Sequence, residues 1–340
     1  MSVRTTKNKQ RIFEVRISIV PNNFIDNQCA ADACIATWNS VTSCLSRWVL
    51  DFGLGEMEFV GDWSSVAIAA ISSHNMNVRF FNATKKEAIQ LLDEYRNHAE
   101  EEIRTIKVHL RGPRKTLNQG DDFLRMYLMH CFLALNLSAP GCAAMEAEFM
   151  GRHIIEKVQL CEVNWLSTWN ESWPAVSGIP LAETMKWLTD VSFGKGQLAE
   201  TSIQRVLMAL LRVSDGEMWG PEHVLWLSQA LEAIVDSPVE RLTSTLQQRL
   251  LTLLGAPHSV KNIKKKIRGF YALRSRIAHG DFQFIHPVAN EIIDSRIEST
   301  IEELRKSVDF GMTMLVAIAQ MLVCKQWKGV HFLEEIRGIE

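Results

Sequence analysis

The chain has 340 residues, 47% of them hydrophobic and 22% charged, with a formal net charge of −2. That length and apolar content suffice for a large core and exclude a disordered or fibrous chain, while the near-neutral total makes local charge the guide to partners. The seven cysteines lack metal-pair spacing, the first ten residues are polar, and no apolar run reaches the ~18–20 residues that span a bilayer, so reduced buried thiols, a cytoplasmic setting and no membrane partner are expected.

Taken in chain order, residues 12–20 alternate apolar and polar as a half-buried strand does, and 76–81 is a second short run of extended character. A small sheet is expected in the N-terminal third. From Thr84 onward the apolar spacing turns helical: 85–110, with Thr84 as N-cap and Glu87 three residues on, then 121–137 and 141–169. Segment 170–180 holds two prolines and a glycine, and is read as the boundary between an N-terminal domain, residues 1–177, and a C-terminal one, residues 178–340. Helices follow at about 181–188, 198–212, 221–236, 241–254, 260–278 and 287–327, with Pro221 in a first turn and Gly255 and Pro257 as stop signals. Residues 311–323 are apolar on most sides and predict a buried final helix. The expected fold class is mainly α: a C-terminal helical bundle, and an N-terminal domain that is mostly helical with room for a small β-sheet.

Charge concentrates in one place. Residues 241–280 hold nine Lys or Arg (Arg241, Arg249, Lys261, Lys264, Lys265, Lys266, Arg268, Arg274, Arg276) and no Asp or Glu, offset by acids at 100–102, 302–303 and 334–335. Such a surface suits a polyanion or an acidic partner. Within it, His279 follows Arg274 by five residues, and Gly280 suits the left-handed residue that closes a helix. The same kind of spacing recurs at Arg104 and His109 and at Arg125 and His130, so spacing alone carries nothing. His130 lies among apolar residues and reads as a satisfied core histidine; Arg104 and His109 read as the solvated face of a charged helix. Only the third pair has small or polar neighbours, Ser275 and Ala278, at an exposed helix end. On an ideal helix Arg274 and His279 stand about 140° apart, and Arg276 is nearer His279 at about 60°.

An Arg and a His on a basic helix suit RNA cleavage without a metal. Attack of a ribose 2′-hydroxyl on the adjacent phosphate needs a base, an acid for the leaving 5′ oxygen and a cation for the growing charge. His279 fits base or acid, and Arg274 fits the phosphate clamp. One His cannot serve as both acid and base in a concerted step, so a homodimer is expected to bring two copies together. Lys261, Lys264, Lys265, Lys266 and Arg268 would line the approach as a phosphate-binding track, although such lysines also make an ordinary solvated face. Glu232, on an otherwise apolar helix stripe, is placed to pair with an Arg of the 274–279 segment and hold it, or else is a plain surface carboxylate. No catalytic triad, phosphate-cradling loop or dinucleotide fingerprint is recognisable, and no metal or cofactor is expected.

The run Tyr271-Ala-Leu-Arg-Ser-Arg-Ile-Ala-His-Gly280, preceded by Leu231-Glu232 and Arg249-Leu-Leu, resembles the HEPN superfamily, most closely its ApeA-like branch, across about residues 195–325. The resemblance implies that Arg274, the polar Ser275 and His279 fill the family's motif, with Arg276 and Glu232 in support. It also implies a metal-independent endoribonuclease that works as a homodimer in antiphage defence, abortive infection or toxin–antitoxin pairs, with an antitoxin or regulatory partner. Some members of the family are non-catalytic modules, which gives the alternative of a helical domain that binds RNA or an acidic protein. The resemblance does not reach residues 1–177, where a sensor or regulatory domain is expected by analogy. The plainest reading of all is a structural α-domain in which Arg and His cap a helix.

Overall fold

Alternation decides the first half of the chain. In the computed structural model, which describes residues 9–18, 27–84, 86–87, 90–91, 103–215, 219–236, 242–286, 288 and 290–333, strand β1 (Lys9–Ser18) turns Phe13, Val15 and Ile17 inward and Glu14 and Arg16 outward. It pairs on one side with β4 (Arg104–Gly112) and on the other with β5 (Met145–Met150), all antiparallel. Strands β2 (Arg47–Asp51) and β3 (Glu56–Gly61) extend one edge and β6 (Ile155–Leu160) the other, giving the order β2-β3-β4-β1-β5-β6. Val15 stands opposite Ile106 and Phe149, so the apolar side chains of three strands share one face. The other face carries ion pairs between neighbouring strands, among them Arg47 and Arg111 with Glu58, Lys107 with Glu14, and Lys157 with Glu148. Exposed pairs of this kind add at most about 1 kcal/mol each.

This sheet corrects the expected fold class. The protein is not mainly α with room for a small sheet; its first half is mixed α/β around six strands. The predicted helix 141–169 holds β5 and β6 instead, followed by a short helix Val163–Leu166 and a 3-10 turn Ser167–Asn170. Met145-Glu-Ala-Glu-Phe-Met150 is built of strong helix formers, but its two-residue alternation meets β1 and β6, and that pairing outweighs propensity. Likewise the predicted helix 85–110 ends in a strand, where Ile106, Val108 and Leu110 alternate inward. Residues 92–102 of that prediction, and 19–20 of the predicted first strand, lie outside the described residues, as do the acids at 100–102 and 334–335. The Thr84 cap is present: Thr84 donates its backbone N–H to Glu87 at 2.8 Å and its hydroxyl accepts from the Glu87 N–H at 3.4 Å. The run 76–81, expected extended, is the end of a helix, since a six-residue run with four apolar residues does not distinguish the two states.

Helices α1 (Gln28–Leu45) and α2 (Ser64–Phe81) pack against each other, and α3 (Gly120–Ser138) is buried along most of its length. His130 on α3 is the core histidine expected, buried between the carbonyls of Met126 at 2.7 Å and Phe193 at 2.8 Å. His74 on α2 is buried too, with Nε2 3.1 Å from the Cys142 carbonyl, and desolvation pushes its pKa from 6.5 down to about 4. A histidine kept neutral in the fold but free to protonate when unfolded stabilises fully above pH 6.5. That contribution is lost as the pH falls toward about 4, to a total on the order of 3 kcal/mol. Urea unfolding between pH 7 and 4 should show a loss of stability that is shallower in His74→Gln. All seven cysteines are free thiols; Cys34, Cys131 and Cys142 are buried as expected, whereas Cys29 and Cys324 are exposed.

The second half follows the predicted helices closely: α4 (Leu181–Asp190), α5 (Ser202–Ser214), α6 (Pro221–Val235), α7 (Leu242–Leu254), α8 (Val260–His279) and α9 (Arg296–Lys325). The last starts later than expected, because Asn290 and Asp294 bind backbone N–H groups two residues ahead and hold a turn. Helix α9 is long and apolar enough to cross a membrane by length and composition, but its apolar window is 83% buried, as a core helix is. Gly311 allows close contact there: a Cβ would stand 3.0 Å from Leu227 of α6 and 3.2 Å from Phe270 of α8. Segment 170–180 is stitched to both sides. Gln320 of α9 donates to the carbonyls of Leu137 (2.9 Å) and Ser177 (2.8 Å) and accepts from the Ser177 N–H (3.1 Å), and one contiguous set of buried apolar residues runs from the sheet into the helical half.

Candidate functional site

Helix α8 is amphipathic. Ile263, Ile267, Phe270, Tyr271 and Leu273 are buried, and the remaining turns face outward. Its end is closed by Gly280 at φ 84°, with the Asp281 N–H donating to Arg276 O at 2.8 Å and the Gly280 N–H to Ile277 O at 3.4 Å. This paired closure satisfies carbonyls of the last turn and needs the left-handed residue. Arg276 and His279 therefore occupy the last turn, where the helix dipole favours cations.

The two motif residues do not meet within one chain. Arg274 points toward α6, its guanidinium 3.7 Å from Glu232 Oε1 with both side chains partly exposed. Glu232 thus lies beside an Arg of the segment, at the position expected of it. Burial raises the Glu232 pKa, and Arg274 acts in the opposite direction. Arg276, the nearer helical neighbour of His279, bonds instead to Glu303 of α9 at 2.5 Å. Ser275 and His279 are exposed, and no hydrogen bond joins His279 to either arginine among the described residues.

The basic residues divide in the same way. Lys266 pairs with Glu171 at 2.6 Å, and Arg249 donates to the Val235 carbonyl at 2.6 Å at the end of α6; Arg241 lies outside the described residues. Lys261, Lys264, Lys265 and Arg268 are exposed and make no ion pair among the described residues. At 100° per residue these four, with Ala272, Ser275 and His279, fall on one stripe about 100° wide and about 27 Å long. The stripe ends at His279. Glu171, Glu303 and Tyr271 are the neighbours that the sequence reading missed. The two acids are far away in sequence, and only the position of Tyr271, three residues before Arg274, was a signal.

A cavity of about 620 Å³ lined by Trp173, Pro257, His258, Lys266 and Gln320 lies at the opposite end of α8 from His279. The His279 end is an open surface, a shape suited to a polymer more than to an enclosed small molecule. Among the described residues, no group of three or more His, Cys, Asp or Glu is arranged to hold a metal ion. No known protein family, curated protein or solved structure matches the chain.

Proposed function

We propose that the chain is a metal-independent endoribonuclease of the HEPN type, acting as a cytoplasmic homodimer in antiphage defence or a toxin system, with residues 1–177 as its sensor or regulatory part. The observation that carries this reading is the unpaired basic stripe of α8 that terminates at an exposed His279. The stripe would hold the RNA backbone. His279 of one protomer would take the 2′-hydroxyl proton as the oxygen bonds to phosphorus, and the second His279 would give a proton to the 5′ oxygen as its bond to phosphorus breaks. Arg274 would steady the added phosphate charge. The loop that follows His279 exposes Phe284 (70%), Val288 (79%), Ile292 (96%) and Ile293 (83%), an apolar group beside a half-complete site that a second copy of the chain would cover.

The chemistry fixes the products. RNA incubated with the dimer in EDTA should yield 2′,3′-cyclic phosphate and 5′-hydroxyl ends, whereas 5′-phosphate ends or a metal requirement would refute the reading. One observation favours a second reading, a non-catalytic module for RNA or an acidic protein: Arg274 and Arg276 both already face carboxylates. Salt-sensitive RNA binding without cleavage by the dimer would support it.

A further inference from the structure

Three polar atoms at the α6–α8 contact are buried and lack a hydrogen-bond partner: Glu232 Oε1, Arg274 Nε and the Tyr271 hydroxyl. They belong to one cluster. Burial raises the Tyr271 pKa most, the Glu232 carboxylate adds to the rise and the Arg274 guanidinium lowers it, so the hydroxyl keeps its proton and remains a donor. At 3.7 Å the Arg274–Glu232 contact is longer than a charge-assisted hydrogen bond, which leaves the guanidinium held by charge but not locked by geometry. Tyr271 and Arg274 are three residues apart and lie about 60° apart around the helix, so both reach toward α6.

We infer that Tyr271 is a positioning residue that takes over the Glu232 carboxylate when Arg274 turns to an RNA phosphate. This rests on the reading that Arg274 meets phosphate. A guanidinium that leaves Glu232 for RNA strands a half-buried carboxylate, and an ionised group left without a donor is costly enough to oppose the move. The Tyr271 hydroxyl supplies the missing donor from the same cluster. Its own unmet hydrogen bond in this state is then satisfied in the RNA-bound state, and the two states become closer in free energy than the Arg–Glu pair alone would allow. Tyr271 is 7% exposed and packs edge-on against Phe270, so the ring stays in place through the exchange.

The test is a double-mutant cycle on the full dimer, read as affinity for a 2′-O-methyl oligoribonucleotide, which cannot be cleaved, and as cleavage rate on the unmodified RNA. Tyr271→Phe keeps the ring and removes the donor; it should weaken affinity and slow cleavage by about 10-fold while the thermal midpoint confirms the fold. In a Glu232→Gln background, where no charge is stranded, the same substitution should have less than about a 2-fold effect. Equal behaviour of Tyr271→Phe and the parent, or the same loss in both backgrounds, overturns the hand-over and leaves the hydroxyl with a packing role only. If the unsubstituted dimer binds no RNA, the RNA reading itself fails and the hand-over falls with it.

Discussion

Replacement of His279 with Ala is expected to reduce RNA cleavage by about 10³-fold, the loss that follows when a general acid or base leaves a proton-transfer step. The size of the effect is tied to the proposed dimer. Each composite site would hold two copies of His279, one as base and one as acid, so a single substitution in the gene removes both roles at once. His279 is exposed at a helix end that Gly280 closes independently of it, so the variant should keep the parent's far-ultraviolet signal, thermal midpoint and mass in solution. Arg274→Ala should also lose cleavage, by about 10²-fold or more. It carries a structural cost as well, since Glu232 loses its cation. Single-turnover cleavage with excess enzyme separates the two cases, and undiminished cleavage by both variants would end the nuclease proposal.

A second large effect is expected in the core. Trp165 is fully buried, meets Phe132 of α3 edge-on at 6.0 Å, and donates through Nε1 to the Ser214 hydroxyl of α5 at 2.8 Å. Trp165→Ala removes an indole that touches both halves of the chain and should cost about 4 kcal/mol. Because the core is continuous across that contact, tryptophan fluorescence and far-ultraviolet circular dichroism should lose their urea midpoints together. Two separate transitions, with only one of them shifted, would show that the halves unfold independently.

These expectations draw unequally on what the sequence displays. The C-terminal helices were legible because their boundary signals are local, as with Pro221 in a first turn and Gly280 at φ 84° after α8; the Thr201 cap, which accepts from the Gln204 N–H, went unread, so the helix expected from 198 begins at Ser202. Strands β5 and β6 were not, since Met145–Met150 has helix-forming residues and becomes a strand only beside β1, more than a hundred residues away. The missed sheet therefore reflects non-local pairing, which no window along the chain contains. At the site, the residue types and the Glu232–Arg274 proximity could be anticipated. The sequestration of Lys266 by Glu171 and of Arg276 by Glu303 could not, because both acids lie outside the acid-free stretch. Counting charge along a chain overstates the free charge of a surface.

The Gln320 side chain has a mechanical consequence. Its amide grips two carbonyls, Leu137 from the sheet half and Ser177 from the connecting segment, while its oxygen takes the Ser177 N–H. Helix α9 backs the basic helix through Phe310, whose ring lies 5.8 Å from that of Phe270. Sliding α9 along its axis by even one residue would break all three bonds at once in a buried setting. The helix is a bolt seated in both halves, so an axial displacement of α9 would break its hold on the sheet half and on the connecting segment together.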